Sequence, residues 1–339
     1  MKKTWEKVDI LLPVYNGEKF LSQQIESILA QTQDSWRLLI RDDGSKDNSL
    51  KIIEDYCSRN PDKIIRIQDE KGNLGIMNNT FELLKYVEAG YVMLSDQDDV
   101  WFPSKIDKLL SLIQKKERNH PKLPILVHSE AIVTDEKLKP LEGTEIDVFA
   151  LAAVERELWR NYRSSYFAVQ NQCDKTRVSF VNLLFLNVVQ GASMIFNQAL
   201  YERLKILMNK KINKNLYHDS VIASIASICG KIFFYGKPLM LYRQHNSNLV
   251  GAKIISLLNW MNLNEKEKNR FRSNHYLNIN QPKCELILKY YKGNLSIKQI
   301  ETIEFLCKRR LINVKFIKLG LCREFSAKDL IGMAIFGIK

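Results

Sequence analysis

Four short apolar runs, each closed by a polar cluster and followed by residues at helical spacing, constrain this chain more than any other feature. The runs are Val8–Leu12, Trp36–Arg41, Ile64–Ile67 and Tyr91–Leu94. After the first, Phe20, Leu21, Ile25, Ile28 and Leu29 recur at the period of one helix face, and Leu50, Ile53 and Tyr56 do so after the second. Asn79 to Ala89 reads as a third helix. This alternation predicts an α/β fold with a parallel, doubly wound sheet, whose ligands bind beyond the carboxyl ends of the strands. The polar clusters fall at that edge: Pro13 to Glu18, Asp42-Asp43, Gly72 to Gly75 and Asp96 to Asp99.

The last cluster carries the sharpest chemistry. Leu94-Ser95-Asp96-Gln97-Asp98-Asp99-Val100-Trp101 places three carboxylates within four positions directly after a strand. Like charges this close repel, and partial burial deepens the repulsion. A bound cation relieves it, and hard oxygen ligands suit Mg²⁺ or Mn²⁺. Along an extended chain Asp96 and Asp98 project the same way, so both face one ion directly or through its water. The plainer alternative is an acidic turn in which Asp99 caps the helix that Pro103 opens.

The length of 339 residues fits one large domain, or a domain with an appendix. The net charge of +13 is unevenly placed, since the residues beyond Gly251 hold an excess of about ten positive charges. The six cysteines at 57, 173, 229, 284, 307 and 322 have no metal or redox spacing. They read as the reduced thiols of a cytosolic protein. Met1 to Lys7 has no apolar core behind it, so no secretory leader is expected, and no run reaches the ~20 apolar residues of a membrane span.

Pro13-Val14-Tyr15-Asn16-Gly17, Asp42-Asp43-Gly44-Ser45, Gly72-Asn73-Leu74-Gly75 and Asp96-Gln97-Asp98-Asp99 together resemble, in order and spacing, the family 2 glycosyltransferases. The resemblance is close from Val8 to about Lys108 and resumes at intervals to about Gly251. It implies the GT-A fold, a Rossmann-like, mostly parallel sheet, here with a C-terminal helical extension. The expected organisation is a catalytic domain over 1–250 and a basic helical segment over 251–339. Within the former, 1–108 is the nucleotide half and 109–250 the acceptor half.

By that resemblance Pro13, Val14 and Tyr15 contact the base, Glu18 the ribose, and Asp42 accepts from the imino N–H of a uracil or thymine. For Asp42 the alternative is a turn carboxylate bonding its own backbone. Gly72 and Gly75 bring the backbone near the donor, with Asn73 and Gln97 as polar contacts. Asp96 and Asp98 match the family's Asp-x-Asp element, Asp98 as the direct metal ligand, with Asp99 and Trp101 beside the donor sugar.

The second half reads less regularly. Ile125 to Val133 is a further strand in which His128 is a core histidine, and Asp147 to Asn182 reads as an insertion lining an acceptor groove. Val188 to Asn197 resembles the family's segment beneath the acceptor, where Gly191 and Ala192 leave room near the reacting sugar. His218-Asp219 opens the apolar helix Val221 to Ile228. The resemblance makes Asp219 the catalytic base and puts His218 where many members carry Glu. In Tyr242-Arg243-Gln244-His245, His245 corresponds to a further metal ligand, and Arg243 would neutralise the diphosphate.

The implied activity is inverting, Mn²⁺- or Mg²⁺-dependent transfer from a nucleotide sugar to a glycan or polyprenyl-linked acceptor. The motif order looks most like the bacterial rhamnosyltransferase-type subset using dTDP-L-rhamnose. UDP-hexoses, UDP-N-acetylhexosamines and a non-catalytic nucleotide-sugar-binding module stay open. Beyond Gly251, amphipathic basic stretches such as Ile254–Trp260, Ile300–Phe305, Leu311–Leu321 and Leu330–Ile338 fit either an anionic membrane surface or a subdomain packed on the core. The expected location is therefore cytoplasmic, with peripheral membrane contact. Other classes recede. No Gly-x-Gly-x-x-Gly follows the first strand, as a dinucleotide oxidoreductase needs. The loop Pro13–Glu18 lacks the Gly-rich, basic character of a nucleotidyltransferase. Lys308 to Arg323 interleaves only Phe316 among its cations, which argues against nucleic acid.

Overall fold

The computed structural model describes residues 7–140, 180–185, 189–246, 248 and 280–307. In the amino-terminal half the elements are β1 Val8–Val14, α1 Leu21–Leu29, β2 Trp36–Asp42, α2 Ser49–Arg59, β3 Ile64–Arg66, α3 Gly75–Leu83 and β4 Tyr91–Leu94. There follow β5 Val100–Trp101, α4 Lys105–Asn119, β6 Ile125–Thr134, α5 Phe180–Phe185, β7 Met194–Asn197, α6 Gln198–Met208, α7 His218–Cys229 and β8 Lys231–Arg243. Two further helices, α8 Gln281–Tyr291 and α9 Ile297–Cys307, follow later in the chain.

One eight-stranded sheet runs in the order β3-β2-β1-β4-β7-β6-β8-β5. β1 lies at the centre of its parallel half, paired with β2 and β4, which is why all seven of its residues are buried. Even Asp9 is tolerated there, because both its oxygens accept from Arg37 at 2.9 Å and Oδ2 also receives the Glu88 and Ala89 N–H groups. Alternate residues feed the two faces. Leu11, Leu39, Val92, Leu94, Leu126 and Phe196 pack under α3, α6 and α7. Ile10, Leu12, Leu38, Ile40, Met93 and Ile195 pack under α1, α2 and α4. Each such side chain contributes about 1.5–3 kcal/mol of burial.

The structure departs from the expected parallel sheet in two places. β7 runs antiparallel between β4 and β6, and β5 runs antiparallel to β8. Lys231–Arg243 is one long strand, pairing with β6 across register shifts near Ser129 and Glu130. The third helix is displaced from the expected Asn79 to Ala89: it begins at Gly75 and ends at Leu83, before a 3₁₀ turn over Leu84–Tyr86. His128 is buried in β6 with its ring 5.0 Å from Phe234. Helix α8 buries Cys284, Leu286, Ile287 and Tyr291 in the same core as α7. Expectations for 141–179, 251–279 and 308–339 lie outside the described residues.

Candidate active site

β1 and β2 run in register with Val14 beside Asp42, so the loops after them lie side by side. Tyr15 is 45% exposed, whereas Pro13 and Val14 end β1 as buried residues. Of the three residues assigned to the base, Tyr15 is thus the one that presents its side chain. Its N–H donates to Gln97 Oε1 at 2.9 Å, and its carbonyl accepts from Gln97 Nε2 at 3.0 Å. This reciprocal pair fastens the first loop to the acid loop. Gly17 makes it possible, since a Cβ there would lie 2.6 Å from Gln97 Oε1.

Asp42 fills the turn role weighed for it with one oxygen and leaves the other open. Its Oδ2 accepts from the Gly44 and Ser45 N–H groups at 3.1 and 3.0 Å, while Oδ1 is buried with no protein partner. A buried carboxylate oxygen left open in this way is an acceptor for a ligand N–H. Glu18 accepts the Asn48 N–H at 2.7 Å and so ties the first loop to the start of α2.

Behind these loops lies a network that the sequence did not single out. Arg41, a cation inside an apolar strand, forks onto both oxygens of Asp69 at 2.9 and 2.8 Å and reaches Asp43 at 2.6 Å. Asp43 in turn accepts the Leu74 and Gly75 N–H groups, both at 2.8 Å. Gly72 and Gly75 hold φ of 63° and 74°, which glycine enters without Cβ strain. Asn73 donates to the Asp43 carbonyl at 3.0 Å. The glycine loop is thereby pinned against the end of β2. Arg41 holds the Asp69 carboxyl down at about 2.

The acid loop leaves β4 as a turn rather than an extended strand, so Asp96 and Asp98 do not simply share a face. Asp98 Oδ2 meets His245 Nε2 at 2.9 Å and accepts from Asn248 Nδ2 at 3.2 Å. Burial first, then the charges of Asp98 and Asp219, push the Asp96 carboxyl up to about 7. Asp99 is fully buried, with Oδ1 accepting the Arg243 N–H at 3.2 Å and Oδ2 without a partner. It neither lines an open pocket nor caps the following helix, which begins at Lys105 after Ser104. Burial pushes its carboxyl well up, and Asp98 and Asp96 add to this.

Two further expectations change. Trp101 is 1% exposed, packed in the core with the Lys105 ammonium 3.9 Å from its ring centroid, and it does not wall a sugar site. Arg243 is committed to the protein: Nε donates to the Asp98 carbonyl, Nη1 to the Glu136 carbonyl and Nη2 to Gln23 Oε1. Its guanidinium, stacked over Phe20, fixes the acid loop from behind instead of reaching for phosphate. Lys105 was not legible as a site residue. It is fully buried, donates to the Ala192 carbonyl at 2.5 Å, and lies within the field of Asp99 and Asp96.

Across from the acid loop, His218 and Asp219 open α7. Asp219 Oδ1 accepts the Ser220 N–H at 2.6 Å, and its charge is felt by Asp96, Tyr217, His218 and Lys283. Burial pulls the His218 imidazole down toward its neutral form, and its Nδ1 has no partner. Gly191 gives this ring its space, because a Cβ there would lie 2.7 Å from His218 Nε2. The small residue thus accommodates the histidine rather than a sugar. Ala192 is buried, with its carbonyl turned to Lys105.

The donor chemistry fits a divalent cation: carboxylates on Asp96 and Asp98 and an imidazole on His245. Among the described residues no three His, Cys, Asp or Glu side chains converge into a preformed cage. Asp98 and His245 are the pair in place, and Asp96 stands close enough to feel the charge of Asp98.

A curled, mostly parallel sheet with an acid loop at its carboxyl edge and an acid-bearing helix opposite defines a glycosyltransferase domain of the GT-A fold. Residues 9–175 match the model of Glycosyl transferase family 2, and the chain carries a domain of that family. The chain is 36% identical over 109 residues to the Escherichia coli UDP-Glc:alpha-D-GlcNAc-diphosphoundecaprenol beta-1,3-glucosyltransferase WfgD, covering 32% of this chain and 41% of that one. It is 26% identical over 253 residues to the dTDP-rhamnosyl transferase RfbG of Shigella flexneri, covering 72% and 74%. The chain spans about two fifths of the length of the first curated relatives it matches. The crystal structure of S. aureus TarS 1-349 in complex with UDP-GlcNAc superposes with a TM-score of 0.52 at 14% identity, covering 97% of this chain and 90% of that chain. At that identity the likeness is one of fold.

Proposed function

We propose that this protein is an inverting, metal-dependent glycosyltransferase that moves a sugar from a nucleotide donor to a hydroxyl of a glycan or polyprenyl-linked acceptor. The observation that supports it most is the contact of Asp98 with His245 at one edge of the sheet, with Asp96 close enough to feel the charges of both Asp98 and Asp219. Tyr15 offers an exposed aromatic face for the base, and the open Asp42 oxygen accepts its imino N–H. Asp98 and His245, with Asp96, would hold a divalent ion, which when bound supplies positive charge to the departing diphosphate.

Asp219 takes the proton of the acceptor hydroxyl as that oxygen attacks the anomeric carbon. The hydroxyl oxygen forms the new bond and the bond to the diphosphate breaks, so configuration inverts and no protein nucleophile is needed. Arg243 keeps Asp98 and Asp99 in place by holding their backbone and carboxylate, and Lys105 offsets the charge crowded beneath them.

dTDP-L-rhamnose is the donor we put first, because the similarity to RfbG runs through most of both chains. UDP-glucose and UDP-N-acetylhexosamines come next, and the name of WfgD supports a polyprenyl-diphosphate acceptor. Among the described residues no helix is long and apolar enough to cross a membrane. The test is release of nucleoside diphosphate from dTDP-rhamnose and common UDP-sugars, with and without Mn²⁺. A single donor hydrolysed or transferred in a Mn²⁺-dependent way supports the proposal. Equal inertness toward all of them, at full folding, overturns it.

A further inference from the structure

Helix α8 lies beyond the boundary at residue 250 drawn from the sequence, yet its first turn reaches the helix that carries the proposed base. Lys283 is 2% exposed, and its ammonium donates to Ser220 Oγ at 2.8 Å and to the Leu183 carbonyl at 2.5 Å. Both acceptors are neutral. A buried ammonium with neutral acceptors alone is a costly arrangement, and large proteins keep one mainly where a nearby negative charge compensates it. That charge is one residue from Ser220. The Ser220 N–H donates to Asp219 Oδ1 at 2.6 Å, so a single serine carries the Lys283 ammonium on its hydroxyl and the Asp219 carboxylate on its amide. Ser220 is itself 2% exposed and held by the next turn, where Ser224 Oγ donates to its carbonyl.

We infer that Lys283 is a positioning residue of the transfer reaction: through Ser220 it compensates and orients Asp219, which makes the helical segment around 280–307 part of the catalytic unit. This rests on Asp219 being the base. Burial pulls the Lys283 ammonium down to about 8, with Cys284 and the Asp219 carboxylate acting in the opposite sense, as a couple of this kind requires. No other residue of α8 donates to α7 among the hydrogen bonds of the described residues. A merely structural lysine at this place would be replaced by an apolar side chain of similar volume with no loss, and often with a gain.

The experiment is a double-mutant cycle on the full chain with Lys283→Met, Asp219→Asn and the pair, read by melting temperature and by steady-state kinetics. In the parent background Lys283→Met leaves Asp219 without its compensating charge. It is expected to lower Tm by several degrees and to lower kcat about tenfold with the donor KM unchanged. In the Asp219→Asn background the same substitution leaves Tm unchanged or higher, because only a buried ammonium is lost. Equal Tm shifts in the two backgrounds overturn the inference, as does an unchanged kcat in Lys283→Met. If Lys283→Met does not accumulate as folded protein, Ser220→Ala carries the test, with the same loss of kcat expected and an unchanged kcat decisive against. An active Asp219→Asn would sink the base assignment instead, and the Tm cycle still decides the couple.

Discussion

Asp98 and His245 stand 147 positions apart in the chain, and their side chains meet at 2.9 Å. A two-residue strand brings them together. β5 follows the acid loop at once and pairs antiparallel with β8, Val100 opposite Leu241 and Trp101 opposite Met240. The exit of β8 is thereby delivered beside the turn that carries Asp98. Asn248 closes the arrangement, donating to Asp98 Oδ2 and to the Arg243 carbonyl while accepting the His245 N–H.

This pairing predicts a graded response to metal. His245→Ala removes one of two donors already in place, and the Mn²⁺ concentration for half-maximal activity is expected to rise about tenfold or more. Asp98→Asn, which removes the charged donor, is expected to abolish metal-dependent transfer. Titration of activity with Mn²⁺ checks both.

The open oxygen of Asp42 predicts base selectivity. Asp42→Asn retains the turn bonds to Gly44 and Ser45 through its remaining oxygen but loses the anionic acceptor. Affinity for dTDP or UDP is expected to fall about tenfold, the worth of one charge-assisted hydrogen bond. Calorimetric binding of the nucleoside diphosphate to parent and variant measures it.

The Arg41 network predicts an acid-sensitive share of stability. Arg41 holds Asp69 at about 2, against an ordinary value of 3.8. A depressed carboxylate stabilises the fold fully above 3.8, and that contribution is lost as pH falls through about 2. Its size is about 2 kcal/mol. Asp69→Asn should therefore be less stable than the parent at neutral pH by about this amount, with the gap closing at pH 2. Arg41→Met should cost more, about 3–5 kcal/mol, because it strands the buried Asp43 carboxylate together with the partly buried Asp69. Urea unfolding across pH is the measurement.

Gly191 predicts a steric effect on the catalytic side. In Gly191→Ala the new methyl must displace the His218 ring, 2.7 Å away. Since His218 precedes Asp219 on the same turn, kcat is expected to fall about tenfold, with donor binding unchanged. His218→Ala in the Gly191→Ala background should recover part of the loss, which steady-state kinetics of the two variants will show.

The strands of the amino-terminal half were legible because each is a mainly apolar run closed by turn residues, and Tyr91–Leu94 matches its strand residue for residue. The antiparallel β7 was not, since Met194–Asn197 is too short for periodicity to give a direction. Of the side chains that the sequence singles out by type, Asp98 and His245 meet in the fold, and Asp96 lies within the charge of Asp98 and Asp219. It was not legible where burial decides the role. Trp101 and Arg243 read as ligand-facing residues until their surroundings show them packed and satisfied. Lys105 and Lys283 are ordinary helix lysines in a sequence, and only the fold reveals that both ammonium groups are enclosed, Lys105 within the field of Asp99 and Asp96 and Lys283 within that of Asp219.

The account stands on a carboxylate at 219 that removes a proton across from a metal-held donor. Asp219→Asn, which keeps size and hydrogen bonding, should lower the transfer rate by about 10²–10⁴, while calorimetry shows Mn²⁺-dependent donor binding at parental affinity. Transfer at the parental rate by this variant would contradict the account, and so would loss of donor binding together with transfer.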